Sequence, residues 1–433
     1  MAPMGSPIDT PASDGANSRV CLAAAFVVTV AWFLFYNHSR PDYLVDEPGH
    51  LGNIYHFLEG KAGWPEAMPM LPGYHFIVAG LWQLHPPCKL LTLARLVSTI
   101  CTLVGLAAFA LAWRRWQGAP AGPSTLLFAL LPVWQPFTGM AYTDAPALSF
   151  VLAAWAMHLA GHRATAAVIL LGAVCIRQTA LVWAAFFVAW EVLRARSTGA
   201  AGLRAFLRQV WPGIRWPLAL LLLAAAVALA VGRFTVGTSH GNPATFNPAQ
   251  LHFAGLLLLG LGLPLWLGAA RRLPRWFVLH LRAQPARTFG LTAAFLAVAA
   301  ALGLTFANPH EWNRALSWDG CSFTLLRNWP LVWIDRYPWL RFVSGLNLAA
   351  LAVAAIVWLR RQPDARVFAC AAACGVAPVA VSSLVEPRYF LPSLVFGLVF
   401  ARLSRRATVA LGCWWGALAA LHAPFVATGR SLW

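Results

Sequence analysis

The feature that most constrains this chain is the succession of long apolar runs that fills nearly all of it. About thirteen such runs fall between residues 20 and 425. A helix needs ~20 apolar residues to cross a bilayer, and in hydrocarbon it satisfies its backbone hydrogen bonds within one segment. Only 11% of the residues are charged, whereas a soluble domain has about 25%. The sequence therefore predicts an all-α, polytopic integral membrane protein with about thirteen transmembrane helices.

The basic residues give the orientation of these helices. The formal net charge is +18, and nearly all basic residues are Arg. A basic chain can bind nucleic acid, but these Arg residues form short clusters between apolar runs, which is typical of cytoplasmic loops, so we predict no nucleic-acid partner. If the segment 71–85 lies along the membrane surface without crossing, every cluster faces the cytoplasm. The clusters are Arg114 to Arg115, His162 to Arg163, Arg194 to Arg215, Arg271 to Arg287, Arg360 to Arg361, and Arg402 to Arg406.

This orientation predicts one domain with two large outer loops. Residues 1–19 are polar and are expected to form a disordered cytoplasmic N-terminus. Residues 20–425 form a single transmembrane domain, and 426–433 form a short tail. Within that domain, 37–91 is the first outer loop and 307–338 is the late outer loop.

The first outer loop is expected to have helical structure of its own. Pro48 suits the first turn of a short helix that continues to Gly60. The apolar segment 71–85 fits an interfacial helix. Cys88 in this loop and Cys321 in the late loop share the outer face, which leaves a disulfide between them open.

Two adjacent carboxylates follow the first apolar run. Asp46 and Glu47 lie in the stretch 41–50, which holds three of the fourteen acidic residues of the chain. One interpretation is a solvated loop pair, and the other is a general base that takes the proton of a sugar hydroxyl. A phosphate leaving group is already a stable anion, so sugar transfer from a lipid phosphate requires one carboxylate and cations for the phosphate. We predict that Asp46 is the base and that Glu47 supports or orients it.

Two Arg residues are candidates for binding that phosphate, because a guanidinium can bind phosphate through two parallel hydrogen bonds. Arg177 lies between two apolar runs, where a charge needs a partner or a ligand, unless its side chain reaches to the lipid headgroups. Arg388 follows Glu386 closely, so a structural ion pair competes with phosphate binding there. Asp144 caps a helix, positions other groups or binds a metal. The predicted substrate-binding set is completed by His50, Tyr142, Gln178, His310, Asn313 and Arg314.

Six short motifs occur in order along the chain. They are Asp46-Glu47 with His50, Pro72-Gly73-Tyr74, Tyr142-Thr143-Asp144, Arg177-Gln178-Thr179 with Trp183, Asn313-Arg314, and Glu386-x-Arg388-Tyr389 ahead of Pro392. In these motifs the chain resembles the polytopic membrane glycosyltransferases of the GT-C class. It is most similar to the dolichyl-phosphate-glucose-dependent alpha-1,2-glucosyltransferase family. It departs from that family at 237–240, where an acid and a Lys are missing, and at Ala180, which replaces an Asn.

The resemblance implies a GT-C fold, an inverting transfer and a carboxylate base in the first outer loop. The expected donor is a polyprenyl- or dolichyl-phosphate sugar, with glucose as the hexose. The expected acceptor is a glycan or lipid-linked acceptor on the extracytoplasmic or luminal face, and membrane lipids surround the helices. No cofactor is expected, and a divalent metal stays open. The alternatives are a lipid-linked glycan transporter or flippase, and an oligosaccharide ligase that moves a whole chain.

The preference for Arg over Lys bears on where the protein is located. Lys occurs only at Lys61 and Lys89, and this bias toward Arg is typical of a GC-rich, bacterial genome. We therefore expect a bacterial inner membrane with a periplasmic active face in preference to an endoplasmic-reticulum membrane.

Overall fold

The computed structural model describes most of the chain, and nearly all of the described part is helical. The described residues are 13–40, 42–61, 65, 70–197, 202–231, 245–271, 273–318, 323–361, 364–380 and 382–430. Cys321 lies outside them, and so does the segment 237–240.

Helices α1 to α10 cover the first half of the described chain. They are α1 Ser13–Ser39, α2 Glu47–Leu58, α3 Gly73–Trp82, α4 Leu90–Gln117, α5 Gly122–Leu130, α6 Gln135–Thr138, α7 Asp144–Leu159, α8 Arg163–Ile176, α9 Val182–Ser197 and α10 Leu203–Val231. A 3-10 helix, Gln178–Leu181, separates α8 from α9.

Helices α11 to α19 cover the second half. They are α11 Ala249–Leu261, α12 Leu263–Ala270, α13 Leu273–Ala283, α14 Pro285–Leu304, α15 Asn328–Arg336, α16 Pro338–Arg361, α17 Ala365–Ala380, α18 Leu391–Phe400 and α19 Arg405–Ala427. Two further 3-10 helices are Glu311–Asn313 and Pro387–Phe390. Two short antiparallel strands, β1 Ser317–Trp318 and β2 Phe323–Thr324, pair Ser317 with Thr324.

The helix ends follow local sequence signals. Helix α4 ends where Gly118 adopts a φ of 65° and donates its N–H to the Arg114 carbonyl (3.0 Å), a common C-terminal glycine cap. Helix α19 begins at Ser404, whose hydroxyl accepts from the Ala407 N–H (3.3 Å), as an N-cap serine does. Helix α1 begins at Ser13, so it includes residues 13–19, which the prediction gave to the N-terminal tail.

Six helices in the described part of the chain are long and apolar enough to cross a membrane. They are Gly15–Ser39, Leu90–Gln117, Leu203–Ala230, Pro285–Leu304, Pro338–Arg360 and Arg405–Ala427. A seventh candidate is the pair Ala249–Leu261 and Leu263–Ala283, which is bent by 79°. The predicted helical, multi-span membrane protein is therefore confirmed, with one two-stranded hairpin as the exception in the described part of the chain. The count of about thirteen spans stays a prediction, because several predicted runs form shorter apolar helices such as α7 and α8.

The segment 37–91 contains the two short helices that its sequence indicates. Helix α2 has Pro48 in its first turn and ends at Leu58. Helix α3 has ten residues, and at 1.5 Å per residue it measures about 15 Å, half the thickness of the ~30 Å hydrocarbon core. It is therefore too short to cross, in agreement with the expected path of 71–85.

The described chain divides into two compact units. Unit 1 comprises 1–241, 366–378 and 391–402, and unit 2 comprises 242–365, 379–390 and 403–433. The single functional domain over 20–425 stays a prediction.

In unit 1, α3 is packed between α4 and the end of α8. Tyr74 and Val78 are fully buried, and burial of such side chains contributes roughly 1.5–3 kcal/mol each. The Tyr74 hydroxyl donates to the Ala94 carbonyl on α4 (2.8 Å). A Cβ at Gly73 would lie 2.7 Å from the Cys175 carbonyl oxygen, so only glycine permits this approach. The Pro-Gly-Tyr motif thus fixes α3 beside the helix end that carries Arg177.

Candidate functional site

Asp46 is the last residue before helix α2, at a sharp turn of the backbone. Val45 has a φ of 42°, a left-handed conformation that is rare for a β-branched residue and costs about 1–3 kcal/mol. The N–H of Asp46 donates to the Tyr142 hydroxyl (3.1 Å), and its carbonyl accepts from the His50 N–H (3.1 Å). Asp46 is half-buried. The backbone of Asp46, which carries this carboxylate, is therefore held by hydrogen bonds at both its N–H and its carbonyl.

Glu47 is completely buried, and both of its carboxylate oxygens accept hydrogen bonds. Arg95 donates from Nε to Oε1 (2.9 Å) and from Nη2 to Oε2 (2.6 Å). The N–H of Leu44 donates to Oε2 and the N–H of Ala141 donates to Oε1, each at 2.8 Å. A carboxylate accepts about four hydrogen bonds, so none of its capacity remains for a substrate. These contacts fit the predicted role of Glu47 in supporting or orienting Asp46, and that role stays a prediction.

Arg95, on α4, forms hydrogen bonds with residues on both sides of Asp46. Its Nη1 donates to the carbonyls of Arg40 (2.6 Å) and Tyr36 (3.4 Å), and its Nη2 donates to that of Asp42 (2.9 Å). One guanidinium thus joins the end of α1 to the start of α2. The predicted site omits Arg95, although an Arg inside the apolar run 92–113 signals a buried partner.

Two His rings, those of His50 on α2 and His75 on α3, contact each other near this turn. His50 Nδ1 and His75 Nε2 are 3.0 Å apart, and the His50 ring also packs against the Tyr142 ring, with a centroid separation of 5.2 Å. His75 is fully buried. Burial, together with the neighbouring His50, holds the pKa of His75 well below its ordinary value. His50 therefore packs against Tyr142, whose hydroxyl binds the Asp46 backbone, and His75 contacts His50.

Arg177 pairs with Asp144. The distance from Arg177 Nη1 to Asp144 Oδ2 is 2.7 Å, and Nη1 also donates to the Thr143 hydroxyl (3.4 Å). Asp144 is the first residue of α7, and Thr143 occupies the cap position, so the interpretation of Asp144 as an N-cap is wrong. A carboxylate in the first turn also interacts favourably with the helix dipole.

Arg177 lies at the break between helices α8 and α9. Helix α8 ends at Ile176, Arg177 has extended backbone, and a 3-10 helix begins at Gln178. The guanidinium is 21% exposed, while Gln178 is half-buried beside it. Asp46 and Arg177 are therefore linked through the consecutive residues Tyr142 to Asp144. These members of the predicted site lie together in unit 1.

In unit 2, Glu386 binds two guanidinium groups. Arg327 Nη1 lies 3.0 Å from Glu386 Oε1, and Arg388 Nε contacts Oε2. The three side chains are each at most 12% exposed, and together they carry a formal charge of +1. The Arg388 guanidinium also lies over the Tyr389 ring, 5.7 Å from its centroid. The Glu386–Arg388 ion pair is formed, and Arg327 is a member of the cluster that the predicted site omits.

Buried amide side chains hold the backbone that leads to Glu386. Asn313 donates from Nδ2 to the Ser383 carbonyl (3.0 Å) and accepts at Oδ1 from the Val385 N–H (2.9 Å). Asn247 donates to the same Ser383 carbonyl (2.6 Å), and Gln250 donates to that of Leu384 (2.6 Å). Asn313 is fully buried. Asn313 therefore holds the backbone that precedes Glu386, and its predicted contact with substrate stays a prediction.

The other predicted residues of the late loop lie at the ends of short elements. His310 Nδ1 accepts from the Trp312 N–H (3.2 Å) at the start of a 3-10 turn. Arg314 donates from Nε to the Asn308 carbonyl (2.9 Å) and is more than half exposed. Their contact with an acceptor stays a prediction.

The motifs described above belong to one protein family. The DIE2/ALG10 family model matches residues 40–399, which include Asp46, Arg177 and Arg388. The chain belongs to the DIE2/ALG10 family.

Curated relatives agree with the family match. A rat protein named Dol-P-Glc:Glc(2)Man(9)GlcNAc(2)-PP-Dol alpha-1,2-glucosyltransferase is 25% identical over 55% of this chain and 61% of its own length. Mouse and human proteins of the same name are 26% and 25% identical over 40% of each chain. The chain thus spans about three-fifths of the rat relative and two-fifths of the others. These mammalian relatives give the predicted bacterial membrane no support.

Solved structures show a weaker likeness. ArnT from Cupriavidus metallidurans bound to undecaprenyl phosphate superposes with a TM-score of 0.41 at 16% identity, over 96% of this chain and 78% of that chain. The apo state of the same protein gives a TM-score of 0.38 at 17% identity.

Proposed function

We propose that this DIE2/ALG10 family member is a membrane hexosyltransferase. It transfers glucose from a polyprenyl- or dolichyl-phosphate sugar to a glycan or lipid-linked acceptor, on the extracytoplasmic or luminal face and with inversion. The observation that carries the proposal is the family match over 40–399. The names of the mammalian relatives, which are glucosyltransferases acting from Dol-P-Glc, support the choice of sugar and donor.

Asp46 is the proposed general base. The acceptor hydroxyl attacks the anomeric carbon, its proton passes to the Asp46 carboxylate, and the bond from that carbon to the phosphate oxygen breaks with its electron pair on the phosphate. The lipid phosphate leaves as a stable anion, so no general acid is required. Val45, Glu47 and Tyr142 support this role, because they fix the backbone on which the half-buried carboxylate is carried.

Arg177 and the Arg327–Arg388 pair are the proposed phosphate ligands. Charge-assisted bonds from guanidinium to phosphate stabilise the negative charge that grows on the leaving group. In unit 1, Arg177 has one carboxylate partner and is partly exposed. In unit 2, two guanidinium groups contact one carboxylate, so these three side chains carry a formal charge of +1, which an anionic ligand complements.

The test is a transfer assay on the purified full-length protein in lipid nanodiscs. A panel of polyprenyl-phosphate sugars that includes glucose and mannose is offered with a lipid-linked oligosaccharide acceptor. Asp46→Asn should abolish transfer, while binding of the donor stays within about twofold, because the amide keeps the shape but cannot take a proton. Adding or chelating Mg²⁺ in the same assay tests whether the transfer requires a divalent metal ion.

Asp42→Asn is the matched control. Asp42 lies four residues before Asp46, its side chain is exposed, and only its carbonyl binds Arg95. Transfer by this variant should stay near that of the unaltered protein. Full activity in Asp46→Asn removes Asp46 from the mechanism. A product extended by a whole glycan chain indicates a ligase, and the absence of any new glycosidic bond contradicts the transferase.

A further inference from the structure

Helix α13 exposes an apolar surface that the rest of the described chain does not cover. Every α13 side chain that the structure describes is exposed or half-buried. Leu273 is 58% exposed, Phe277 37% and Leu279 56%. An isolated helix of this length is marginal in water, so its apolar residues require another environment.

The chain places α13 at a membrane surface. Helix α14 is a candidate span that begins at Pro285, directly after α13. On the other side, the segment Leu263–Ala283 turns by 79° from Ala249–Leu261. That segment contains four Arg residues, at 271, 272, 275 and 282, and such charges are costly within hydrocarbon. A path along the interface avoids this cost.

The Arg residues of α13 share one face of the helix. Arg275 and Arg282 are seven residues apart, so they lie together. Leu273, Phe277 and Leu281 recur every four residues on the opposite side, and Val278 and Leu279 flank the Arg face, four residues from Arg282 and Arg275. A helix with a narrow basic face and a wide apolar one suits the plane of a membrane surface.

The charge around α13 is of one sign. Residues 271–287 contain five Arg and one His but no Asp or Glu. Arg275 and Arg282 are exposed, and Arg287 at the start of α14 donates to the Gln284 side chain (3.1 Å). An anionic surface complements this charge, and anionic phospholipids attract basic segments at the membrane surface.

We propose that α13 lies in the plane of the membrane interface, with its apolar side in the acyl boundary and its Arg residues bound to anionic phospholipid headgroups. Each basic residue near such a surface strengthens binding roughly fivefold. The proposal is independent of the transferase activity, because it needs only the exposed helix and the adjoining span.

The test uses the full-length protein in nanodiscs of phosphatidylcholine, with or without one quarter phosphatidylglycerol. Lipids retained after transfer to detergent are identified by native mass spectrometry. The protein should retain phosphatidylglycerol preferentially, and Arg275→Gln with Arg282→Gln should lower that retention on the order of 25-fold. Arg275→Lys with Arg282→Lys should restore most of it, because the charge is kept.

Arg405→Gln with Arg406→Gln is the matched control. It removes the same charge from the first turn of α19, where both residues are exposed, and it should leave the retention nearly unchanged. An equal loss in the control assigns the effect to general surface charge and overturns the proposal. Displacement of the lipid by inorganic phosphate overturns it too, because it identifies a soluble-anion site.

A label at position 278 tests the depth of the helix separately. In Val278→Cys, an environment-sensitive fluorophore should be quenched by lipids that carry a quencher near the headgroup. Val278 is 44% exposed, so the change should not disturb folding. Quenching only by a water-soluble agent shows that α13 is in solution and overturns the proposal.

Discussion

Glu47 in unit 1 and Glu386 in unit 2 are both buried carboxylates bound to Arg, yet their surroundings differ. Glu47 has one guanidinium partner and two backbone donors, and its side chain is 0% exposed. Glu386 has two guanidinium partners, and Arg388 keeps 12% of its side chain exposed. At Glu47 one guanidinium balances one carboxylate. Among the three side chains at Glu386, two guanidinium groups contact one carboxylate.

The difference separates a structural anchor from a place that suits an anion. Arg95 uses its donors on Glu47 and on three carbonyls, so the pair stabilises the Asp46 turn. At Glu386 the three side chains carry a formal charge of +1, and an anionic group complements that charge. The number of guanidinium partners of a buried carboxylate therefore indicates better than its burial alone whether the cluster suits an anionic ligand.

The largest expected effect comes from breaking the matched pair. Arg95→Met leaves the Glu47 charge buried without its partner and should lower the free energy of unfolding by about 3–5 kcal/mol. Thermal unfolding in detergent measures this loss. Adding Glu47→Gln should recover part of it, because no unpaired charge then remains buried.

The control for that variant is Lys61→Gln, which breaks the exposed Lys61–Glu59 pair and should change the midpoint little. If Arg95→Met unfolds at the same temperature as this control, the Glu47–Arg95 pair does not stabilise the turn.

A smaller effect is expected where cation is in excess. Arg388→Gln and Arg327→Gln should each weaken donor binding by roughly tenfold or more, because a charge-assisted hydrogen bond contributes about 1.5–3 kcal/mol. Titration of a non-transferable donor analogue measures the affinity. Arg341→Gln, which breaks a half-exposed pair with Asp335, is the control in the same unit. Unchanged donor affinity with a lower unfolding temperature indicates that the cluster is only structural.

The His pair predicts a pH dependence for unit 1. Because the pKa of His75 is held below its ordinary 6.5, the unfolded chain takes up a proton that the folded chain does not. This contribution is fully present above pH 6.5 and is lost as the pH falls below it, by up to ~1.4 kcal/mol per pH unit. Unfolding midpoints from pH 7.5 to 5.5 should fall less in His75→Gln than in the unaltered protein. The exposed His38→Gln should keep the original slope, and identical slopes in all three proteins contradict the prediction.

The smallest effect concerns the backbone before Asp46. Among the described residues only Val45 and His85 have a positive φ without being glycine. Val45→Gly should remove the left-handed penalty and raise stability by up to ~1 kcal/mol, after the greater freedom of glycine in the unfolded chain is subtracted. Val45→Ala keeps the penalty and should give no gain. A glycine variant less stable than the alanine variant shows that the turn is not strained.

The sequence by itself determined the class of fold and singled out the candidate site residues. Apolar runs specify helices because hydrocarbon leaves the backbone no other partners. Pro48 indicated the start of α2, and the shortness and interruptions of 71–85 indicated a helix that does not cross. Asp46, Arg177, Glu386 and Arg388 were recognisable because charge is rare in such a chain and therefore conspicuous.

Only the tertiary structure decided which charges are partners. Nothing in the sequence joins Glu47 to Arg95, 48 positions away, or Glu386 to Arg327. Packing brought Glu47 beside Arg95 of α4 and beside the Ala141 N–H, and together with the Leu44 N–H these groups give it four donors. Ion pairing depends on distances of a few ångströms between side chains, and the order of residues along a chain does not fix those distances until the helices pack.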